Sequence, residues 1–385
     1  MEVPRITCSL FGAIKAAATM KDTVILVHGP RGCVYHINYI LGLRGDRHCP
    51  VYCTCMDEHD VVFGAEERLK QAIEDLDAEK RPKILVVLSC CASGIIGEDV
   101  QNACRTAMTR AKVISIDAGG FAEDFTVGYA KTLKTIVSDL SEPVNATIPG
   151  TVNILGMLRA GPDINELRRL LSLLNLKVGV VVPAGASHDE IRHIGDACLN
   201  IVLCETAGME AAEYLHQKFK TPYIRTVFPI GTELSRAFLA QVASALGISQ
   251  IPSLPGHPED AYIPSNPPRI AIFSGPTRAI ALARFLSFHG MSPALIVLDF
   301  ETPLLDEVRC AGDEGCTVIV SPDWDTIEGS LKSHHIGLLI GGLMEHPLAA
   351  GLGIPLIDVM HGSQKTAGPE GGENLIRLIR RHILI

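Results

Sequence analysis

The cysteines best suited to chemistry lie beside glycines, where apolar runs end. Cys8 occurs in ITCSLFGA, Cys33 ends HGPRGC, and Cys91 follows an apolar run in LSCCASGIIGEDV. Glycines permit tight or left-handed backbone at such turns, and a helix N-terminus stabilises a thiolate and offers free N–H groups. Three thiols at strand ends and helix starts are what an iron–sulfur site requires.

The spacing of these thiols is not a CxxCxxC run, so two other interpretations stay open. They are buried structural cysteines, which are common for free thiols, and a nucleophilic thiol. The 12 cysteines of the chain do not indicate a disulfide framework in a reducing compartment. CTCMDEHD (53–60) supplies a competing pair, because Cys53 and Cys55 on one strand would point to the same face.

Two further residues end apolar runs nearer the C-terminus. Cys204 lies in LNIVLCETAGME, and His361 lies in IPLIDVMHGSQKTAG. Taken alone, each is typical of a locally satisfied side chain. FSGPTRAIALARF (273–285) has a start that suits phosphate but is also typical of an ordinary strand–turn–helix. GPEGGEN (368–374) predicts either an anion-binding nest or simple capping glycines at the start of the last helix.

The elements that must position these residues follow from the alternation of apolar runs and amphipathic stretches. Short β-branched runs predict strands buried on both faces, and their alternation with helices predicts parallel α/β sheets. Strands are expected at 23–29, 83–90, 112–118, 151–156, 177–183, 199–205, 222–228, 269–275, 293–300, 316–322, 337–342 and 355–360, and helices at 65–76, 164–174, 210–219 and 278–290. Ligands of such sheets collect beyond the carboxyl ends of the strands, which is where the cysteines fall.

Two stretches rich in turn-forming residues divide the chain. They are SEPVNATIPG (141–150) and IPSLPGHPEDAYIPSNPP (251–268), the second dense in proline. The sequence therefore predicts three Rossmann-like domains, at 1–150, 151–260 and 261–385.

Composition excludes several classes of function. The formal charge of −9 and the lack of a basic stripe disfavour nucleic-acid binding. No uncharged run approaches the ~20 apolar residues of a membrane span, and MEVPRITCSL lacks signal-peptide architecture, which predicts a cytoplasmic protein. The chain has neither a P-loop nor a dinucleotide fingerprint. Electrons and any ATP hydrolysis are therefore expected to come from a partner.

Several motifs, in order along nearly the whole chain, resemble the nitrogenase component 1 superfamily. The first two are Cys-x3-Gly-Ala followed by LVHGPRGC, and DEHDVVFGAEERLKQAI. They are followed by CASGIIGED, PYIRTVFPIGTELSRAFL and GLLIGGLMEHPLAAGLGIP. This superfamily includes nitrogenase subunits, their cofactor-assembly scaffolds, the light-independent protochlorophyllide reductase subunits and a reductive cyclase of nickel tetrapyrroles.

The resemblance implies an iron–sulfur cluster held by Cys8, Cys33 and Cys91 at a subunit interface. Cys91 is preferred to its neighbour Cys90 because the Cys-x-x-Gly-x-x-Gly pattern runs through it. A 4Fe-4S cluster is expected, with a larger cluster as the alternative. The resemblance also implies a homodimer or a paralogous heterodimer, and an ATP-dependent iron protein as electron donor.

Within the superfamily, the short chain favours the compact nickel-tetrapyrrole cyclase. That interpretation makes the protein an oxidoreductase in methanogenic coenzyme biosynthesis, with His361 and His257 as candidate proton donors, since imidazole suits proton transfer. The competing interpretation is a non-catalytic scaffold for a complex iron–sulfur cofactor. Cys204 and His361 fall near the positions where nitrogenase α subunits ligate their iron–molybdenum cofactor, which supports it. A nitrogenase-like reductase of another small substrate is a third possibility.

Overall fold

The fold is a set of parallel sheets flanked by helices. A computed structural model describes residues 7–43, 50–121, 123–143, 146–157, 159, 161–254, 267–360 and 364–383. Within these ranges, the strands form three sheets, and every strand pairing inside a sheet is parallel. The predicted parallel α/β architecture is therefore confirmed.

The first sheet has the strand order β2-β1-β3-β4. Its strands are β1 (Thr23–His28), β2 (Val51–Cys53), β3 (Ile84–Ser89) and β4 (Lys112–Asp117). The helices around it are α1 (Ser9–Ala17), α2 (Arg31–Leu43), α3 (Glu58–Phe63), α4 (Glu66–Lys80), α5 (Cys91–Ile96), α6 (Val100–Thr106) and α7 (Phe125–Leu140). Every residue of β3 is buried, as expected for an apolar run covered on both faces.

The second sheet has the order β6-β5-β7-β8. Its strands are β5 (Ile148–Met157), β6 (Lys177–Pro183), β7 (Ala197–Val202) and β8 (Tyr223–Arg225). Its helices are α8 (Pro162–Ser172), α9 (His188–Arg192), α10 (Glu205–Phe219) and α11 (Gly231–Leu246), with a short 3₁₀ turn at Ile194–Asp196.

The third sheet has the order β11-β10-β9-β12-β13. Its strands are β9 (Ile270–Phe273), β10 (Pro293–Leu298), β11 (Thr317–Val320), β12 (Leu338–Gly341) and β13 (Leu356–Asp358). Its helices are α12 (Pro276–Phe288), α13 (Leu305–Ala311), α14 (Trp324–Ser333), α15 (His346–Leu352) and α16 (Gly368–Ile383), with a 3₁₀ turn at Leu343–Glu345.

The three sheets share buried apolar contacts instead of standing apart. One hydrophobic core runs through the second and third sheets and includes Phe238 of α11, Phe285 of α12 and Ile376 of α16. A second core joins the first sheet to the second, with Ile25 of β1 and Val182 of β6 among its members. The predicted boundaries at 150 and 260 stay predictions, and β5 already begins at Ile148.

The structure differs from the sequence prediction at the Cys53–Cys55 pair. Strand β2 ends at Cys53, and Cys55 lies beyond it with a left-handed φ of 55°. The two thiols therefore do not share the face of one strand. In the part of the chain that the structure describes, no helix is long and apolar enough to cross a membrane.

Candidate functional site

Four cysteines gather at the carboxyl edge of the first sheet. Strands β1 and β3 end level with each other at His28 and Ser89. Cys33 lies in the first turn of α2, while Cys91 is the first residue of α5 and Cys90 caps it. Parallel strands in register thus bring two distant turns to one edge of the sheet, as the sequence predicted.

Cys8 joins this edge from the start of α1. It occupies the N-cap position of that helix and pairs with Asp124 in an isolated antiparallel bridge. The Ser9 N–H donates to the Glu123 carbonyl at 3.1 Å, and the Phe125 N–H donates to the Thr7 carbonyl at 2.9 Å. The backbone before α7 therefore fixes the position of Cys8.

The thiols are close enough to shift one another's pKa values. A hydrogen bond to Cys90 raises the pKa of Cys33, burial raises it further, and negative charge at Cys90, Cys8 and Cys91 acts in the same direction. The hydrogen bond from Cys33 in turn lowers the pKa of Cys90 to about 6. A thiolate is therefore favoured within the group, and a thiolate is the form that ligates metals.

Cys90 and Cys91 face different surroundings. Cys90 is 2% exposed, and a Cβ added at Gly29 would lie 2.3 Å from its Sγ, so this thiol is packed inward. Cys91 is partly exposed, and its Sγ accepts a hydrogen bond from the Gly120 N–H at 3.2 Å. This outward orientation supports the choice of Cys91 over Cys90 as a ligand.

The competing pair, Cys53 and Cys55, forms hydrogen bonds with nearby backbone carbonyls. The Cys53 Sγ donates to the Gly29 carbonyl at 3.2 Å, beneath the turn that precedes Cys33. The Cys55 Sγ donates to the Cys53 carbonyl at 3.6 Å. Burial raises the pKa of Cys53 to about 11, which disfavours its thiolate. These contacts favour a structural role for the pair.

The surroundings of Cys8, Cys33 and Cys91 suit an iron–sulfur cluster. A Cβ added at Gly32 or Gly94 would meet no atom within 4 Å, so the turns leave open space beside the thiols. Among the described residues, no group of three His, Cys, Asp or Glu side chains could hold a single metal ion. The three thiols are at least partly exposed, and backbone N–H groups lie beside them. Thiolate ligands with hydrogen bonds to sulfur are typical of iron–sulfur clusters.

Exposed apolar side chains lie on the same turns and helices. Tyr35 of α2 and Phe63 of α3 are each 75% exposed, Phe121 is 70% exposed and Ile95 of α5 is 69% exposed. Exposed apolar groups of this size mark an interaction surface when they are contiguous. These side chains would lose contact with water if another protein chain packed on this part of the molecule.

A buried hydrogen-bonded pair holds the turns of this edge together. The His28 Nε2 lies 2.6 Å from the Glu98 Oε2, and both side chains are almost fully buried. The other Glu98 oxygen accepts from the Ala65 N–H, and the His28 Nδ1 lies 3.1 Å from the Thr54 Oγ1. Glu98 thus ties the segment after α5 to β1 and to the start of α4.

Replacing Glu98 with alanine is expected to lower the free energy of unfolding by about 1–3 kcal/mol, because a buried imidazole and a buried N–H lose their partner. Urea unfolding of the anaerobically prepared protein measures this. Glu98→Gln is the control, since its amide can accept from Ala65 and donate to His28 after a change of imidazole tautomer. Equal losses in the two variants would contradict a hydrogen-bonding role for Glu98.

A cavity of about 260 Å³ lies where the three sheets meet. The carboxyl ends of strands from the second and third sheets open onto it, as expected for ligand sites in parallel sheets. Its walls include Met157, Cys204, Ser274, Asp299 and Gly342, which follow or end β5, β7, β9, β10 and β12.

Helices of the first sheet close the other side of the cavity. Phe11 and Lys15 of α1 and Tyr129 of α7 line it. Because Cys8 is the N-cap residue of α1, this helix of nine residues connects the cavity with the thiol edge, the carboxyl edge of the first sheet where Cys8, Cys33, Cys90 and Cys91 lie. At 1.5 Å per residue, its length is roughly 13 Å.

Cys204 lies in this cavity, apart from the other candidate cysteines. It occupies the N-cap position of α10, and burial raises its pKa. A Cβ added at Gly156 would lie 2.7 Å from the Cys204 carbonyl, so glycine is needed for the close approach of β5. His361 and His257 lie outside the described residues, and their roles stay predictions.

Arg278 and Arg159 also line the cavity, and the sequence did not single them out. Arg278 belongs to FSGPTRAIALARF. This stretch is typical of an ordinary strand–turn–helix, so nothing in the sequence indicated that Arg278 lines a cavity. Arg159 has no motif around it that would have indicated a role. Both became visible only when the second and third sheets were packed together.

Comparisons with known proteins agree with the fold and the motifs. Residues 8–384 match the family described as nitrogenase component 1 type oxidoreductase. A light-independent protochlorophyllide reductase subunit of Methylobacterium sp. (strain 4-46) is 27% identical over 89% of this chain and 71% of its own length. The nitrogenase iron-molybdenum cofactor biosynthesis protein NifE of Clostridium pasteurianum is 27% identical over 92% of this chain and 82% of its own.

A solved structure of nitrogenase Cp1 at pH 6.5 superimposes with a TM-score of 0.87 at 22% identity, covering 100% of this chain and 93% of that one. The protein belongs to the nitrogenase component 1 type oxidoreductase family. The superfamily resemblance stated from the motifs is thereby confirmed.

Proposed function

We propose that the protein is the iron–sulfur component of a nitrogenase-like reductase that acts on a nickel tetrapyrrole by reductive cyclisation. The observation that carries the proposal is the gathering of Cys8, Cys33 and Cys91 at one sheet edge, joined by α1 to a partly open cavity. Family membership supports redox chemistry, and a relative named as a protochlorophyllide reductase subunit supports a tetrapyrrole substrate.

In this proposal Cys8, Cys33 and Cys91 hold a 4Fe-4S cluster, which supplies single electrons when bound. The N–H groups of Gly120 and of the first turns of α1 and α5 stabilise the thiolates and the sulfides. The open side of the site, with its exposed Tyr35, Phe63, Ile95 and Phe121, is where a second subunit would supply further ligands.

The substrate would enter the cavity between the sheets, at the other end of α1. The cavity volume of about 260 Å³ falls just below the range of ~300–1,000 Å³ typical of small-ligand pockets. It therefore suits one edge of a macrocycle, with the partner subunit covering the rest. An ATP-dependent iron protein would deliver the electrons, because this sequence carries no P-loop.

The second candidate function is a scaffold for a complex iron–sulfur cofactor. It is favoured by the position of Cys204 in the cavity, where a thiolate could ligate such a cofactor, and by the relative named as a cofactor biosynthesis protein. In that case Cys204 and His361 would hold the second cofactor, and no substrate would be reduced.

Anaerobic purification, an iron count and EPR after reduction distinguish the two functions. About four irons per dimer with a single cubane signal, and conversion of nickel sirohydrochlorin a,c-diamide in the presence of an iron protein and ATP, are the results expected of the reductase. Iron beyond one cubane, part of it lost in Cys204→Ala, would favour the scaffold. Protein without iron or colour after anaerobic reconstitution would contradict both.

A further inference from the structure

The strongest unassigned feature is the charge of the cavity between the sheets. Arg278 lies there with its side chain 17% exposed, and polar groups of three residues of the protein contact its guanidinium. Its Nη1 donates to the Thr366 Oγ1 at 2.8 Å and to the Val359 carbonyl at 3.2 Å. Its Nη2 lies 3.7 Å from the Asp163 Oδ2. Arg278 is therefore positioned by the protein, and Asp163 balances its charge.

Both oxygens of the Asp163 carboxylate already accept hydrogen bonds from the segment before α16. Its Oδ1 accepts from the N–H groups of Thr366 at 2.7 Å and Ala367 at 2.9 Å, and its Oδ2 accepts from the Thr366 hydroxyl at 2.8 Å. The side chain is 2% exposed. The carboxylate thus anchors the segment before α16 to α8 and pairs with one arginine only.

Arg159 supplies a second positive charge, and no ion pair of this residue is found within the described part of the chain. It follows β5, lines the cavity, and its Nη1 is buried with no hydrogen-bond partner among the described residues. Burial lowers the pKa of Arg278, and the positive charge of Arg159 acts in the same direction. The other charged residues of the wall, Lys15, Asp299 and Glu345, are each engaged in contacts of their own.

Further unused donors point to the same space. The Thr277 Oγ1 lines the cavity and is buried with no partner in the described part of the chain. It lies in the first turn of α12, which begins at the cavity without a side-chain cap, as α10 does. Helix N-termini carry partial positive charge and free N–H groups. A buried guanidinium nitrogen and a buried hydroxyl are costly to leave without hydrogen-bond partners, so a ligand that accepts from them is favoured.

Most of the remaining wall is apolar. Phe11, Phe125, Phe228, Phe273 and Phe300 contribute aromatic surface, and Met157, Met344 and Met360 contribute thioethers. Such a wall favours a ligand with an apolar body over a small, strongly hydrated inorganic anion. Positively charged donors together with an aromatic wall favour a ligand that carries an anionic group on a hydrophobic body.

We propose that Arg159 and Thr277 form a carboxylate-binding subsite that orients an acidic side arm of the macrocyclic substrate in this cavity. Arg159 donates from Nη1 to one carboxylate oxygen, and the Thr277 hydroxyl donates to the other. The inference rests on the proposed reductase function, whose substrate it describes in more detail. Arg159 selects the substrate's orientation and holds no iron.

Coproporphyrin III, which carries four carboxylates, is the probe, and its fluorescence is followed in titrations of the anaerobic protein. Arg159→Met is expected to weaken binding by about tenfold to a hundredfold, the effect of losing a charge-assisted hydrogen bond. Arg159→Lys is expected to recover part of the loss, because it keeps the charge but not the planar fork. Arg236→Met, on the exposed face of α11, is the matched control and should bind as the unmodified protein does.

The tetramethyl ester of coproporphyrin separates charge recognition from shape. The ester should bind the unmodified protein and Arg159→Met equally, since it has no carboxylate to lose. An equal loss of ester binding in Arg159→Met would overturn the subsite, as would unchanged coproporphyrin binding in that variant. Displacement of coproporphyrin by millimolar inorganic phosphate would also overturn it, because the cavity would then be a small-anion site.

Iron content and the EPR signal of Arg159→Met are measured on the same samples. The iron content and the EPR signal should match those of the unmodified protein, because Arg159 lines the cavity and does not belong to the thiol edge. If the unmodified protein binds iron but no coproporphyrin, the subsite is wrong while the cluster assignment stands. Loss of iron in all samples would instead contradict the proposed function.

Discussion

Replacing Cys33 with serine is expected to remove most of the iron from the anaerobically purified protein and to abolish the reduced cluster's EPR signal. A hydrogen bond to Cys90, burial, and negative charge at Cys90, Cys8 and Cys91 raise the pKa of Cys33, so this thiol lies near the other three. A serine hydroxyl is a much poorer ligand for iron than a thiolate. Changes to residues that merely support metal ligands reduce metal affinity about 10–100-fold, so loss of a ligand should cost at least as much.

The control for this experiment is Cys310→Ser. Cys310 is an exposed thiol in α13, on the third sheet, and its loss should leave iron content and EPR unchanged. Cys90→Ser tests the preference between adjacent thiols. If Cys91 is the ligand, Cys90→Ser keeps most of its iron while Cys91→Ser does not. A Cys33→Ser protein with a full complement of iron would refute the cluster assignment.

The strands and the thiol edge could be predicted because the sequence patterns that indicate them are short and local. Apolar runs such as TVILVH and ILVVLS are typical of central strands buried on both faces, and Gly29 directly follows the first of them. Once β1 and β3 are parallel neighbours in register, Cys33 and Cys91 must approach each other at the carboxyl edge. Cys8 was predicted from its place before a helix, which the structure also shows.

The cavity could not be predicted in the same way, because its residues come together only through tertiary packing. Arg278 meets Asp163 and Thr366 across 115 and 88 positions of sequence, and no local pattern reports those contacts. Arg159 has no motif at all. The same holds for the buried His28–Glu98 pair, separated by 70 positions, in which each residue taken alone resembles an ordinary turn residue.

The two sites depend on each other through the helices α1 and α7. Helix α1 begins at Cys8 and carries Phe11 and Lys15 to the cavity, while α7 carries Phe125 and Tyr129. The helices can pass so closely only because both carry glycine at the crossing. A Cβ added at Gly12 would lie 1.9 Å from the Phe125 carbonyl oxygen, and one added at Gly128 would lie 1.9 Å from the Ser9 carbonyl oxygen.

Gly128→Ala is therefore expected to destabilise the protein and to disturb Cys8 at the same time. The added methyl must displace the backbone of Ser9, and overpacking of this kind costs about 1–3 kcal/mol or more. Urea unfolding should show the loss of stability, and iron content should fall because the first turn of α1 moves. The effect cannot be relieved by a side-chain rotation, since the obstructing atoms belong to the backbone.

Gly329→Ala is the matched control for that substitution. Gly329 lies in the interior of α14, is exposed, and an added Cβ would meet no atom within 4 Å. Alanine in a helix is favoured over glycine by roughly 0.5–1 kcal/mol, so this variant should be as stable as the unmodified protein or more so. If Gly128→Ala behaved like Gly329→Ala in both stability and iron content, the close contact between α1 and α7 would be refuted. That contact is what joins the thiol edge to the cavity. A stable Gly128→Ala protein that had lost its iron would instead show that the crossing serves chiefly to position Cys8.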